Sequence, residues 1–324
     1  MGQPLRQEDS SSANLLTTRT ENSRLWFVNN TDLEHEILAA LAKYQSNYGV
    51  TLYAFALQGN HDHLASSFPN ANRAMFMRDL NSQIARLCKR RIPEVGRGKF
   101  WERRYASQEL PRNEDIEEYF FYCALQAVQS GLAERPENYP GYNSFMDAIN
   151  GVEREFVHTD WVRYQNARRF NPDVDISRYQ TRYRLKYSRL PGYEHLSQDN
   201  YREMMLRKLE DRRLAVVEKR LKAGKPFPNA KALREVKPGS LPRFTKQSTR
   251  HSKRPIVLCS CPQTRNERLS SYFSLVSQYK DASARYLKGE LSAPFPPGTY
   301  RPPLLCAERH LARATRHPKN LPIN

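Results

Sequence analysis

The sequence predicts an α+β fold: an antiparallel sheet with helices on one face and a further helix on the other, followed by a basic, mainly helical extension. Three observations carry this. Strand-like and helix-like runs alternate in a fixed order between residues 14 and 110, an acidic and N-capped helical stretch follows them, and the two halves of the chain differ sharply in charge.

The elements can be justified in order. Asn14 to Thr20 (NLLTTRT) suits a strand, and Arg24 to Val28 a second short extended piece. Thr31-Asp-Leu-Glu34 has the form of a capping box. Leu33, Ile37, Leu41, Tyr44 and Tyr48 then recur at helical spacing until Gly49 stops the helix. Val50 to Leu57 (VTLYAFAL) is a strand, Gln58-Gly59-Asn60 a tight turn, and His61 to Phe68 the returning strand. Phe76, Leu80, Ile84 and Leu87 mark a second amphipathic helix, which ends in a basic stretch before Pro93. Tyr105 to Leu110 is the fourth strand. The order β-α-β-β-α-β is ferredoxin-like, with both helices covering one face of the sheet.

The other face is left to the next helix. Asn113 is a good N-cap, Glu114, Asp115, Glu117 and Glu118 complement the dipole of the first turns, and Gly131 closes the segment. Ile116, Phe120, Cys123 and Ala127 form its apolar stripe, while Tyr122 and Gln126, four residues apart, share a neighbouring face.

Residues 1–150 hold 16 Lys and Arg against 18 Asp and Glu; the net charge of +18 therefore comes from the rest of the chain, with 36 basic and 16 acidic residues. Arg- and Tyr-rich runs such as WVRYQNARRF and TRYRLKYSRL, and the helix expected over Tyr201 to Leu221, suit a nucleic-acid strand: guanidinium groups on phosphates and tyrosine rings for base stacking. Residues 225–254, rich in Pro and Gly, are expected to be a linker, and Leu269 to Leu287 a further helix. The expected division is 1–149 and 150–324. No long apolar run or signal-like N-terminus is present, and five scattered cysteines suit a reducing compartment, so a cytoplasmic location is expected.

The strand period of two puts His61 and His63 on one face and Asp62 on the other. Two imidazoles at that spacing can aim at one metal ion; on a half-exposed strand they can equally be surface polar residues. Tyr122 can be a nucleophile toward a phosphodiester and Gln126 a hard oxygen ligand, or Tyr119 and Tyr122 can be core aromatics.

Taken together, YAFALQGNHDHLASSF and, at a distance, YCALQAVQSGLAERPENYPGYNSF resemble the HUH-type single-tyrosine transposases, including the IS200-like and REP-associated tyrosine transposases of bacteria. Asn60-His61-Asp62-His63-Leu64, then Tyr122, Gln126 and Ser130-Gly131-Leu132, follow the family pattern in order and spacing across roughly residues 14 to 145. The resemblance implies His61, His63 and Gln126 as ligands of one Mg²⁺ or Mn²⁺, with Tyr122 as the nucleophile. It also implies metal-assisted cleavage and rejoining of single-stranded DNA through a 5′-phosphotyrosine link; the Arg- and Tyr-rich segments are expected to recognise a DNA hairpin near the cleavage position, in a monomer or homodimer. Asp62 departs from the pattern, which has an apolar residue there. Burial would require a basic partner, access to solvent or a distorted strand, and leaves open a catalytically degenerate DNA-binding protein of the same fold. A ferredoxin-like sheet with aromatic residues also suits RNA.

Overall fold

The computed structural model describes residues 4–228, 230–242 and 255–303. The chain runs through β1 (Ala13–Arg19), α1 (Thr31–Tyr48), β2 (Thr51–Gln58), β3 (His61–Ser67), α2 (Arg73–Arg91), β4 (Ala106–Leu110), α3 (Asn113–Ala124), α4 (Gln126–Gln129) and α5 (Phe145–Asn150). It continues through β5 (Arg154–Thr159), α6 (Trp161–Phe170), β6 (Gln180–Leu185), α7 (Gln198–Lys222), α8 (Ala230–Arg234), β7 (Ile256–Val257) and α9 (Pro262–Leu287). The main sheet has the order β2-β3-β1-β4-β7. Its first four strands pair antiparallel as the β-α-β-β-α-β order requires, and β7 adds a short parallel edge beside β4, so the sheet is mixed.

Local chemistry explains most boundaries. Asn30, rather than Thr31, caps α1 by accepting a hydrogen bond from the Leu33 amide at 3.0 Å, and Gly49 ends the helix in the left-handed conformation with φ 63°. Gly59 of the β2–β3 turn has ordinary backbone angles, and its role is close approach: a Cβ there would lie 2.7 Å from the Val28 side chain. The extended piece expected over Arg24 to Val28 is irregular instead. A 3₁₀ turn at Glu21–Ser23 precedes it, and its amides bond elsewhere: Leu25 N–H to Ser240 O at 2.9 Å and Phe27 N–H to Gly59 O at 2.9 Å.

The helix expected from Asn113 to Gly131 is broken at Leu125 into α3 and α4. The freed carbonyl of Ala124 accepts a hydrogen bond from Asn143 Nδ2 at 2.7 Å. Asn143 lies in a segment that lengthens the sheet at the β2 edge, through Leu57 N–H to Tyr142 O and Ser144 N–H to Phe55 O, each 2.9 Å.

The described residues form two compact units. One comprises the described residues of 10–242 with 256–260; the other comprises 4–9, 255 and 261–303. The expected boundary at 149 falls inside the first unit, because the later residues complete its core. Phe156, Leu185, Tyr187, Leu190, Tyr201 and Met205 belong to the same buried cluster as Leu16, Phe55 and Phe120. The antiparallel pair β5–β6 packs on α1, where Gln45 acts as a strand partner, donating to Lys186 O at 2.7 Å and accepting from Lys186 N–H at 3.2 Å. Residues 150–185 thus contribute strands as well as helix to a part of the chain expected to be mainly helical.

Helix α7 lies against the α3–α4 break. Arg212 stacks on Phe121 at 4.2 Å, Lys208 pairs with Glu117 at 2.8 Å, and Val217 packs with Leu125 and Val128. The described part of the expected linker is also docked: Asn29 Nδ2 donates to the carbonyls of Leu233 and Val236. Residues 243–254 lie outside the described residues.

In the second unit, α9 carries the proline-locked segment that follows it. Phe295 packs against Tyr279 and Tyr286, Tyr279 Oη donates to Tyr300 O, and Gly298 O accepts from the Glu8 amide at 2.8 Å. Among the described residues no helix is long and apolar enough to cross a membrane.

Candidate active site

The site is built on the face of the sheet opposite α2. In the β1–β3 register Thr17 stands opposite His63 and Arg19 opposite His61, so these four side chains share one face. Thr18 and Asp62, also paired, point to the other face, where Thr18 meets Asn81 of α2 at 3.4 Å. Helix α3 covers the first face and brings Tyr122 to the histidines. The His61 and His63 ring centroids lie 4.9 Å apart at 90°, and those of His63 and Tyr122 5.2 Å apart at 83°. Tyr119 stacks behind Tyr122 at 5.5 Å.

Hydrogen bonds orient both imidazoles. Asn60 Nδ2 donates to Ser23 O at 2.8 Å, which turns Asn60 Oδ1 toward His61 Nδ1 at 2.7 Å. That oxygen can only accept, so the ring hydrogen of His61 sits on Nδ1 and the Nε2 lone pair is left for an ion. His63 Nδ1 is bonded to Thr17 Oγ1 at 2.8 Å, which leaves its Nε2 in the same position. Burial, with a smaller contribution from the Arg19 charge, pushes the His61 imidazole down to about 3. Burial, the neighbouring His61 and Arg19 push His63 well below its ordinary value. Both rings are therefore neutral at physiological pH, the form that binds a metal.

The third expected donor, Gln126, lies beyond the helix break. Gln126 is 5% exposed, hydrogen-bonded to the Tyr122 hydroxyl, and its Oε1 accepts from Ser130 Oγ at 3.4 Å. Among the described residues no group of three His, Cys, Asp or Glu could hold a metal, so a three-ligand site here needs the amide oxygen. Two neutral imidazoles, each held through Nδ1, and one amide oxygen fit a divalent cation that keeps further positions for water or substrate oxygen. Burial raises the Tyr122 phenol above its ordinary range, opposed by the Gln126 hydrogen bond and, more weakly, by Arg19.

Asp62 meets none of the three expected conditions. It is 4% exposed, its strand keeps a continuous register from His61 to Ser67, and no basic group among the described residues pairs with it. Burial raises its carboxyl to about 7, only partly opposed by bonds from Thr18, and Oδ2 has no hydrogen-bond partner. A carboxyl raised to about 7 is partly protonated near neutral pH, which lowers the cost of burying it.

The structure thus brings together all four residues singled out in the sequence. The sequence did not reveal Thr17, Arg19 or the orienting role of Asn60. The first two become visible only when β1 is paired with β3; Asn60 was legible as part of the motif but its hydrogen bonds were not.

Residues 16–121 match the family described as "Transposase IS200 like". This stretch is an IS200-like transposase domain. The match includes His61 and His63 and stops one residue before Tyr122. Two solved structures are similar in part. One is a REP-associated tyrosine transposase bound to a REP hairpin, 15% identical with a TM-score of 0.38 over 45% of this chain and 84% of the other. The second is a candidate transposase from Deinococcus radiodurans R1, 19% identical with a TM-score of 0.27 over 33% of this chain and 86% of the other. No curated protein matches the sequence.

Proposed function

We propose that the protein is a single-stranded DNA endonuclease and strand transferase that works through a covalent tyrosine intermediate. The observation that carries this is the perpendicular stack of Tyr122 on His63, beside His61 and bonded to Gln126, on a transposase domain. His61, His63 and Gln126 would hold Mg²⁺ or Mn²⁺, which supplies charge to polarise a phosphodiester. The Tyr122 hydroxyl attacks the phosphorus, the bond from phosphorus to the 3′ oxygen breaks, and the 5′ phosphate remains on Tyr122. The phenol loses its proton to water and the departing oxygen gains one, leaving a 3′-hydroxyl. One phosphodiester replaces another, so the hydroxyl can reverse the step or rejoin a different end without an external energy source.

Exposed Arg163, Arg168, Arg169, Arg182 and Arg184, with Tyr164 and Tyr179 beside them, supply the cationic and stacking chemistry for a DNA strand, with a hairpin near the cleavage position as the proposed partner. The test is incubation of the full chain with end-labelled single strands from the DNA flanking its gene, in Mn²⁺, followed by denaturing electrophoresis. A covalent adduct on the label 3′ of the break is expected. Covalent capture of no strand, single or hairpin, would refute the reading, and preferential binding of RNA hairpins would replace the substrate.

A further inference from the structure

We propose that Arg19 is a further catalytic residue, whose guanidinium holds a non-bridging oxygen of the scissile phosphate while Tyr122 attacks. The proposal rests on the reading of the site given above and adds a residue that neither the motif nor the helix pattern indicates.

The position of Arg19 is fixed by its backbone. It is the last residue of β1, opposite His61 in the register and on the same face as both histidines. Its carbonyl accepts from the Glu102 amide at 2.9 Å, and the next residue, Thr20, donates to Asn60 O at 2.9 Å, so the chain is held on both sides where it leaves the sheet. The side chain is half-buried, and its charge acts on His61, His63 and Tyr122 together.

Arg19 lacks the carboxylate partner that several other half-buried arginines have. Arg90 pairs with Glu36, Arg112 with Asp115 and Arg212 with Glu117. No described residue gives the Arg19 guanidinium a hydrogen bond or an ion pair, although the chain has 34 acidic residues. The titratable groups on which its charge is felt are two neutral imidazoles and a neutral phenol. A cation kept partly out of water without a counter-ion is a net cost to the free protein, and an entering anion removes that cost.

The anion that fits is a phosphodiester. Arg presents a planar fork that matches two phosphate oxygens, and it stays charged at all working pH values. Attack by Tyr122 adds negative charge to the non-bridging oxygens. A fixed cation on the same face as His61 and His63 would stabilise that charge more than the ground state.

The experiment uses the full chain with Tyr122→Phe, which cannot form the adduct, and two synthetic single strands. One has a natural phosphate at the position where the adduct assay places the break; the other has a neutral methylphosphonate at that position alone. Anisotropy binding is measured in EDTA and in Mn²⁺. In EDTA the natural strand should bind about tenfold more tightly, the lower end for a charge-assisted hydrogen bond. With Arg19→Met added the two strands should bind alike in EDTA, and with Arg19→Gln, a second variant in case the first does not fold, likewise. Arg19→Lys should keep part of the preference.

An undiminished preference in the folded Arg19→Met or Arg19→Gln protein would overturn the assignment. So would a preference seen in Mn²⁺ but absent in EDTA with Arg19 intact, because the phosphate would then be held without it. A preference under neither condition would overturn the reading of the site as a whole.

Discussion

Asn143 donates a hydrogen bond from its side-chain amide to the carbonyl of Ala124 at 2.7 Å, and so stabilises the break that separates Tyr122 on α3 from Gln126 on α4. The same side chain accepts from the Phe145 amide at 3.0 Å, while its neighbours Tyr142 and Ser144 extend the β2 edge. The sheet therefore sets the angle between Tyr122 and Gln126, the proposed nucleophile and amide ligand.

Replacing Asn143 by Ala leaves a buried carbonyl unpaired, a loss of roughly 1–3 kcal/mol. The melting temperature should fall, and more Mn²⁺ should be needed for half-maximal cleavage because Gln126 is less well placed. A metal titration unchanged from wild type would mean that the break is set by α7 alone.

Tyr122→Phe should abolish covalent capture of DNA while leaving single-strand binding close to wild type, since only the hydroxyl is lost. Tyr119→Phe should retain the adduct, because that ring is one contact further from the histidines. The reverse result, read on the same denaturing gel, would place the nucleophile at 119.

His61→Ala or His63→Ala should remove metal-dependent cleavage; Gln126→Ala should weaken it less, because water can replace an amide oxygen. Both imidazoles have depressed proton affinity, so Mn²⁺ binding by calorimetry should hold nearly constant from about pH 8 to pH 6, where an unperturbed histidine pair would already be losing it.

Asp62 should make stability depend on pH in the opposite sense to most carboxylates. Its folded value is raised to about 7 from 3.8, so its contribution is fully present below about pH 4 and is lost as pH rises through 7. The span is on the order of 4 kcal/mol. Urea titrations of Asp62→Asn across that range should show a flatter profile, and Asp62→Val should be as stable or more so with cleavage retained. Loss of cleavage in folded Asp62→Val would assign the carboxyl to the site.

A chain ending at Ile149 should be insoluble or molten, since it strips Phe156, Leu185, Tyr187 and Tyr201 from the shared core. The contribution of charge is better tested on the intact chain. Arg163, Arg168 and Arg169 are exposed on α6, and changing all three to Gln should lower the slope of log K against log salt by about 2 for a single strand. An unaltered slope would show that α6 serves another partner.

Periodicity and turn chemistry determined the β-α-β-β-α-β order, the face shared by His61 and His63, and the spacing of Tyr122 and Gln126, because these are local properties of the chain. They could not determine what pairs across the sheet. Thr17 and Arg19 enter the site only through the β1–β3 register, and Asn143 reaches the helix break from 19 residues away. Charge pattern alone marked residues beyond 149 as a separate basic arm. Burial made residues 150–205 part of the same core, because α1 and α3 each have an apolar face that the four-stranded unit leaves uncovered. The cost of Asp62 was legible from its neighbours in sequence. Its solution, a carboxyl with raised proton affinity beside Thr18 on the face opposite the histidines, depended on what the fold packs against it.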